Sequence, residues 1–169
     1  MNCFRLFLTL FFFLALPVLT HAGQYKVVRV YDGDTLKAMG DGVKIKVRLV
    51  GIDAPETSKK KYMPGQPFSK KARKYLSKRV LNRNVKIKSY GIDKYDRTLA
   101  EIFVNGKNVN IEMLKTGLAE VYRGKPAKGL ALDLYRKAES KAKKAKIGIW
   151  SLGDRYCSPK TWKEIYRKD

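Results

Sequence analysis

The sequence predicts an α+β protein built on a five-stranded β-barrel of OB type with about three α-helices, and three observations carry that prediction. Short runs of alternating side chains recur along the chain, tight-turn residues separate them, and amphipathic helical stretches are inserted between and after them. No internal repeat and no βαβ spacing is present, which argues against a parallel, doubly wound sheet.

Gln24 to Val30, rich in Val and Tyr, reads as the first strand and breaks at "YDGDT". Thr35 to Met39 is the second, and "GDG" at Gly40 to Gly42 supplies hairpin chemistry. In the third, Val43, Ile45, Val47 and Leu49 alternate with Lys44, Lys46, Arg48 and Val50, so the first set faces the core and Arg48 the other side. The Pro- and Gly-containing stretch "GIDAPETSKKKYMPGQP" is a loop. From Pro67 to Leu81, Phe68, Ala72, Tyr75, Leu76 and Val80 recur at helical intervals.

Val85 to Ser89 and Leu99 to Val104 are the fourth and fifth strands, separated by "GIDKYDR", and the "NG" at Asn105 and Gly106 marks a tight turn. Asn110 to Thr116 reads as a short helix stopped by Gly117. Leu130 to Lys146 is a longer one, with Leu134, Ala138 and Ala142 on one face, and "RYCSPKTWKEIYRKD" holds a helical turn or two after Pro159.

The first residues predict a signal peptide over 1–22: Arg5, an apolar run from Leu6 to Leu19, then Thr20-His21-Ala22 at a cleavage site. The apolar run is short for a membrane span. Cleavage there gives a secreted or periplasmic protein, with a main domain over 23–152 and a basic C-terminal extension over 153–169. It removes His21 and Cys3, the chain's one histidine and one of its two cysteines. A mature chain of that kind has no His general base and no His-ligated zinc, and Cys157 alone closes no internal disulfide, leaving a partly buried free thiol as its expected state.

The formal net charge of +22 comes from 37 Lys and Arg against 15 Asp and Glu, and loss of Arg5 with the leader lowers it by one. Such an imbalance repels itself unless a polyanion is the partner. Nucleic acid is the first candidate and an anionic surface the second. The lysines at Lys59 to Lys61, Lys70, Lys71 and Lys141 to Lys146 read as solvated faces that attract phosphates without selecting sequence.

Carboxylates are scarce, so their placement is informative. Three short turns hold Asp32 and Asp34, Asp53 and Glu56, and Asp93 and Asp96, each at a strand end, where a barrel can gather them on one rim. Hard oxygen donors without His or Cys select calcium or magnesium, with Asp34 and Asp53 as carboxylate ligands and a backbone carbonyl and water completing the shell. So few protein charges make a weak site, adequate outside the cell where calcium is abundant. Each turn alone is equally a hairpin or loop, with Asp32 capping a backbone amide. Arg48 and Arg97 beside the acidic turns tip the reading toward phosphodiester chemistry, as bidentate donors for a phosphate under attack.

The ordered motifs "YDGDT", "RLVGIDAPET", "DKYDR", "NGKNVNIEMLKTGLAEV" and "AKKAKIGIWS" resemble the staphylococcal nuclease (thermonuclease) family from about Val28 to Ser151. That resemblance implies a nuclease-like OB fold and a calcium-dependent endonuclease on DNA and RNA that leaves 3′-phosphate ends. It implies Asp34, Asp53 and the Ala54 carbonyl as calcium ligands, with Arg48 and Arg97 on the phosphate and Glu56 orienting or deprotonating the attacking water. Lys94 and Tyr95 then lie beside the terminal phosphate, and Tyr122 is the candidate for stacking a base. Ala54 departs from a threonine in the family pattern, and Asp96 from a glycine. The protein is expected to be a monomer. The alternative reading is a non-catalytic secreted OB protein that binds nucleic acid or an anionic surface.

Overall fold

The computed structural model describes residues 24–58 and 64–166, so the expected signal segment, with Cys3 and His21, and the lysines Lys59 to Lys61 lie outside the described residues. The elements run β1 Gln24–Val30, β2 Thr35–Gly40, β3 Val43–Leu49, β4 Ile52–Asp53, α1 Ser69–Val80, β5 Asn84–Ile92, β6 Thr98–Val104 and β7 Lys107–Asn108. They continue with α2 Val109–Lys115, β8 Glu120–Val121, α3 Leu132–Lys144, a 3₁₀ segment over Gly148–Arg155 and α4 Pro159–Ile165.

Five strands close a barrel. β1 pairs antiparallel with β2 and β5, β2 with β3, and β5 with β6. Closure is made by a parallel pairing of β3 with β6, in which Val47, Arg48 and Leu49 face Thr98, Leu99 and Ala100. This is the expected OB-type α+β architecture. The three two-residue strands are too short to carry a readable period. β4 and β8 pair with each other, setting Asp53 opposite Glu120.

Local chemistry accounts for the turns. Asp41 and Gly42 have φ of 49° and 75°, and Asn105 and Gly106 have 49° and 74°. Two successive positive φ values make the hairpin turn that matches strand twist, and Asp, Asn and Gly tolerate it. The α2 helix begins where the Asn108 side chain accepts the Ile111 N–H at 3.1 Å.

The core lies inside the barrel and under the helices. Val27, Leu36, Val47, Leu49 and Ile102 fill it, α1 adds Ala72, Leu76 and Val80, and α2 adds Met113 and Leu114. Asn110 of α2 is fully buried, yet its amide donates to the Val50 and Ala100 carbonyls and its oxygen accepts the Ile102 N–H, tying α2 to the closing seam.

Two sequence expectations are corrected. Val43 is 59% exposed, because the β2–β3 hairpin tip extends past the interior. Leu134 is 56% exposed, and α3 instead buries Tyr135, Ala138, Glu139 and Ala142. The polar tips on that face have partners: the Tyr135 hydroxyl donates to Glu101 at 2.9 Å, and Glu139 accepts the Val121 N–H at 2.8 Å. Hydrogen bonds offset much of the cost of burying polar groups, so the helix sits one residue round from the face that hydropathy alone selects. Cys157 is a half-buried free thiol.

Candidate active site

The site begins as a turn. Between β1 and β2 the Tyr31 N–H donates to the Thr35 carbonyl at 2.9 Å, and the Asp34 N–H donates to Asp32 Oδ1 at 3.1 Å. Asp32 thus caps a backbone amide, as a turn reading requires. A Cβ at Gly33 would lie 2.6 Å from the Ala54 Cβ and 2.8 Å from the Ala72 Cβ, so the residue between the two aspartates must be glycine for the loop to lie against α1.

That tight seating aims Asp34 at the next strand. Its Oδ1 accepts the Thr35 hydroxyl at 2.9 Å, and its Oδ2 accepts the Ala54 N–H at 2.8 Å and pairs with Arg48 Nη1. Arg48 lies opposite Thr35 in the β2–β3 register, and its Nη2 donates to Asp53 Oδ1 at 2.7 Å. One guanidinium therefore bridges two carboxylates that are 5% and 3% exposed. The turn and the site are the same object.

The electrostatics differ across the bridge. Burial alone would raise the Asp34 carboxyl, but Arg48, with the Ala54, Asp32 and Thr35 hydrogen bonds, holds it below its ordinary value. Asp53 is raised: burial and the neighbouring Asp34 and Glu56 carboxylates outweigh Arg48 and Lys163. The cluster is short of positive charge.

That shortage, with oxygen as the donor throughout, fits a hard divalent cation held by Asp34 and Asp53. Among the described residues no group of three or more His, Cys, Asp or Glu side chains converges as a metal cluster, so the protein would supply a sparse shell. Ala54 is buried, and its N–H donates to Asp34.

The second arginine is held differently. In the turn between β5 and β6, Asp93 accepts the N–H groups of Tyr95 and Arg97 at 2.9 and 3.1 Å. Its other oxygen takes Arg97 Nε at 2.8 Å and Nη2 at 2.6 Å. Asp96 is exposed at φ 55°, a left-handed conformation that glycine adopts most easily and Asp and Asn tolerate. Its charge is not the partner of Arg97.

A cleft of about 710 Å³ joins these parts. Asp34, Arg48, Asp53, Glu56, Lys94, Tyr95, Arg97 and Tyr122 all line it, which brings together every site residue expected from sequence except Ala54. Tyr95 and Tyr122 are 65% and 47% exposed at its mouth, and Lys94 and Arg97 lie 5.2 and 5.4 Å from the Tyr95 ring centre. An open aromatic face flanked by cations suits a base and its phosphate.

Sequence reasoning missed four groups. Lys163 of α4 lies 3.4 Å from Asp53 Oδ2 and 3.3 Å from Glu56 Oε1. Gln66, 5% exposed, accepts the Glu56 N–H at 3.0 Å. Glu120, opposite Asp53, accepts the Tyr156 hydroxyl at 2.5 Å through Oε2, while its buried Oε1 has no hydrogen-bond partner among the described residues. Arg123 approaches Glu120 at 3.5 Å. Only Glu120 left a trace in the sequence, as a carboxylate inside the apolar run "GLAEVY". Lysines and arginines are too common in this chain for any single one to stand out.

Comparison with known proteins identifies a family. Residues 46–152 match the family described as Staphylococcal nuclease homologue. The chain is 39% identical over 127 residues to a protein of Haemophilus influenzae named "Uncharacterized endonuclease", an alignment covering 75% of this chain and 65% of that one. It is 39% identical over 129 residues to a "Probable endonuclease LCL3" of Komagataella phaffii, covering 73% and 56%. With the Scheffersomyces stipitis protein of that name it is 42% identical over 130 residues, covering 73% and 55%. The chain thus spans less than two thirds of the length of these relatives. With more than half of its length matched, the chain belongs to the staphylococcal nuclease homologue family.

Proposed function

We propose that the protein is a secreted or periplasmic, calcium-dependent endonuclease that hydrolyses phosphodiester bonds of DNA and RNA with little sequence preference, leaving 3′-phosphate ends. The observation that carries this reading is the shared cleft: Arg48 bridging Asp34 and Asp53, with Glu56 and Arg97 on the same walls. The apolar run Leu6 to Leu19 supports export, and among the described residues no helix is long and apolar enough to cross a membrane.

In this mechanism Glu56 orients the attacking water and accepts its proton as the water oxygen bonds to phosphorus. The bond from phosphorus to the 5′-oxygen breaks in line, and the leaving oxygen takes a proton from solvent to become a 5′-hydroxyl. Arg48 and Arg97 donate to the non-bridging oxygens, where charge accumulates. Tyr122 and Tyr95 offer faces to a base, and Lys94 a charge to the adjacent phosphate. Calcium held by Asp34, Asp53 and the Ala54 carbonyl would act as a Lewis acid on the phosphoryl oxygen.

Magnitudes require these parts together. Nuclease-type accelerations approach roughly 10¹⁷-fold, about 23 kcal/mol. A general base supplies about 10² to 10⁴, and an arginine on the transferred group about 10³ to 10⁵. Positioning and the cation supply the remainder.

A DNA-containing zymogram run with calcium and with chelator tests the reading. Clearing with calcium alone is expected. Equal clearing in both lanes would refute the calcium requirement. No clearing in either would favour a plain nucleic-acid binder, the reading that the net charge of +22 supports by itself.

A further inference from the structure

Four contacts join residues 156–163 to the active-site cleft, and three of them end on one loop. Gln66 bridges the loop's two ends: its side-chain oxygen accepts the Glu56 N–H at 3.0 Å, and its own N–H donates to the Glu56 carbonyl at 2.8 Å. The Gln66 amide nitrogen then donates to the Cys157 carbonyl at 2.6 Å. Trp162 Nε1 donates to the Pro64 carbonyl at 3.2 Å. Lys163 sets its ammonium between Glu56 and Asp53. Tyr156, through Glu120, holds the strand facing Asp53.

The segment is built to reach there. Ser158 caps α4 by accepting the Thr161 N–H at 3.0 Å, and Pro159 opens the helix with φ preset. One turn later Lys163 emerges facing the cleft, which Lys160 and Glu164 also line. All of these contacts come from beyond residue 152, where the family match ends.

We propose that residues 156–163 form a clamp on the Glu56 loop, in which Gln66 and Lys163 are positioning residues: Gln66 fixes the Glu56 backbone, and Lys163 draws the Glu56 carboxylate toward Asp53. The proposal deepens the nuclease reading and rests on it for its catalytic consequence. Glu56 and Asp53 are like charges that repel at close range, and an ammonium in contact with both cancels that repulsion where water must be aligned. A lysine that only bound substrate phosphate would have no need of Glu56, and a lysine of the solvated surface would touch neither carboxylate.

The test uses the full mature chain, with calcium and single-stranded DNA for kinetics and without calcium for amide hydrogen exchange. Lys163→Met is expected to lower kcat by about 10²-fold, the scale of a misplaced catalytic group, with KM changed only slightly. Lys163→Arg restores most of the rate. Gln66→Leu is expected to speed exchange of the Glu56 amide about tenfold, while the core amides of Leu36 and Val47 keep the parent's protection. Parent-like kcat in Lys163→Met, a loss carried wholly by KM, or an unchanged Glu56 amide in Gln66→Leu would overturn the clamp. The exchange arm needs no turnover: if the parent cuts no nucleic acid the functional reading falls, and exchange alone then decides the clamp.

Discussion

Arg48 and Arg97 line one cleft but are anchored in opposite ways. Arg48 stands on β3, and its side chain, 11% exposed, bridges two buried carboxylates from two other segments. Arg97 pairs with Asp93, four residues earlier in its own turn, and is 23% exposed. The first arginine is part of how the barrel rim holds together; the second is carried by a local loop. Stability and chemistry are therefore fused at Arg48 and separable at Arg97.

The sharpest way to break that contrast is Arg48→Met. It leaves Asp34 and Asp53 buried without their shared cation, so a loss of about 3–5 kcal/mol is expected in urea unfolding, together with loss of cleavage. An Arg48→Met protein as stable as the parent would show that the bridge is not structural. Arg97→Ala should behave differently. Its rate falls by about 10³ to 10⁵ on single-stranded DNA with calcium, while stability changes by less than about 1 kcal/mol. Full activity in this variant would remove Arg97 from the mechanism.

A pH series sharpens the comparison at the carboxylates. Burial tends to raise Asp93, but the Arg97 side chain and the Tyr95 and Arg97 N–H groups hold it below its ordinary 3.8. A depressed carboxylate stabilises the fold above its unfolded pKa and loses that contribution as pH falls. The stability gap between parent and Asp93→Asn, expected below about 1 kcal/mol at neutral pH, should close as pH drops through the range below 3.8. A gap that widens on acidification would contradict the pairing. Asp53 has the opposite sign: raised by burial and its carboxylate neighbours, it favours the fold at low pH and opposes it as pH rises through its folded value. Acid should thus relieve the Asp53 carboxylate at the Arg48 rim, above pH 3.8, before it weakens the Arg97 turn, below it.

Asp96→Gly is the mildest of these changes. Because Asp93 holds Arg97, kcat should stay within about twofold of the parent, the scale of surface substitutions, and stability should shift by no more than about 1 kcal/mol as relief of the φ strain opposes the entropy of glycine. A large gain in kcat would mean that the Asp96 charge does weaken Arg97.

Legibility followed distance along the chain. The turns "DGD" and "NG", the alternation through β3 and the Gly117 stop after α2 depend on neighbours a few residues apart, and each was readable. The exposed Leu134 was misread because hydropathy cannot anticipate that Tyr135 and Glu139 find hydrogen-bond partners on the barrel and go inward in its place. Of the cleft's groups, scarcity revealed the acids and made their neighbouring arginines conspicuous. Abundance hid Lys163, and the Glu56 pairing of Gln66 lies in backbone geometry across a loop that carries no period.

The amino-acid order by itself determined the five barrel strands, the turn residues that force them to reverse, the polyanion-seeking charge and the chemical type of the site, because these arise from local backbone preference and from which side chains are present at all. Only the folded chain decided that β3 and β6 close the barrel side by side, that one guanidinium serves two aspartates, and that Lys163 meets Asp53 across 110 residues of sequence. Such contacts follow from burying a common core, which draws together segments whose own sequences hold no record of one another.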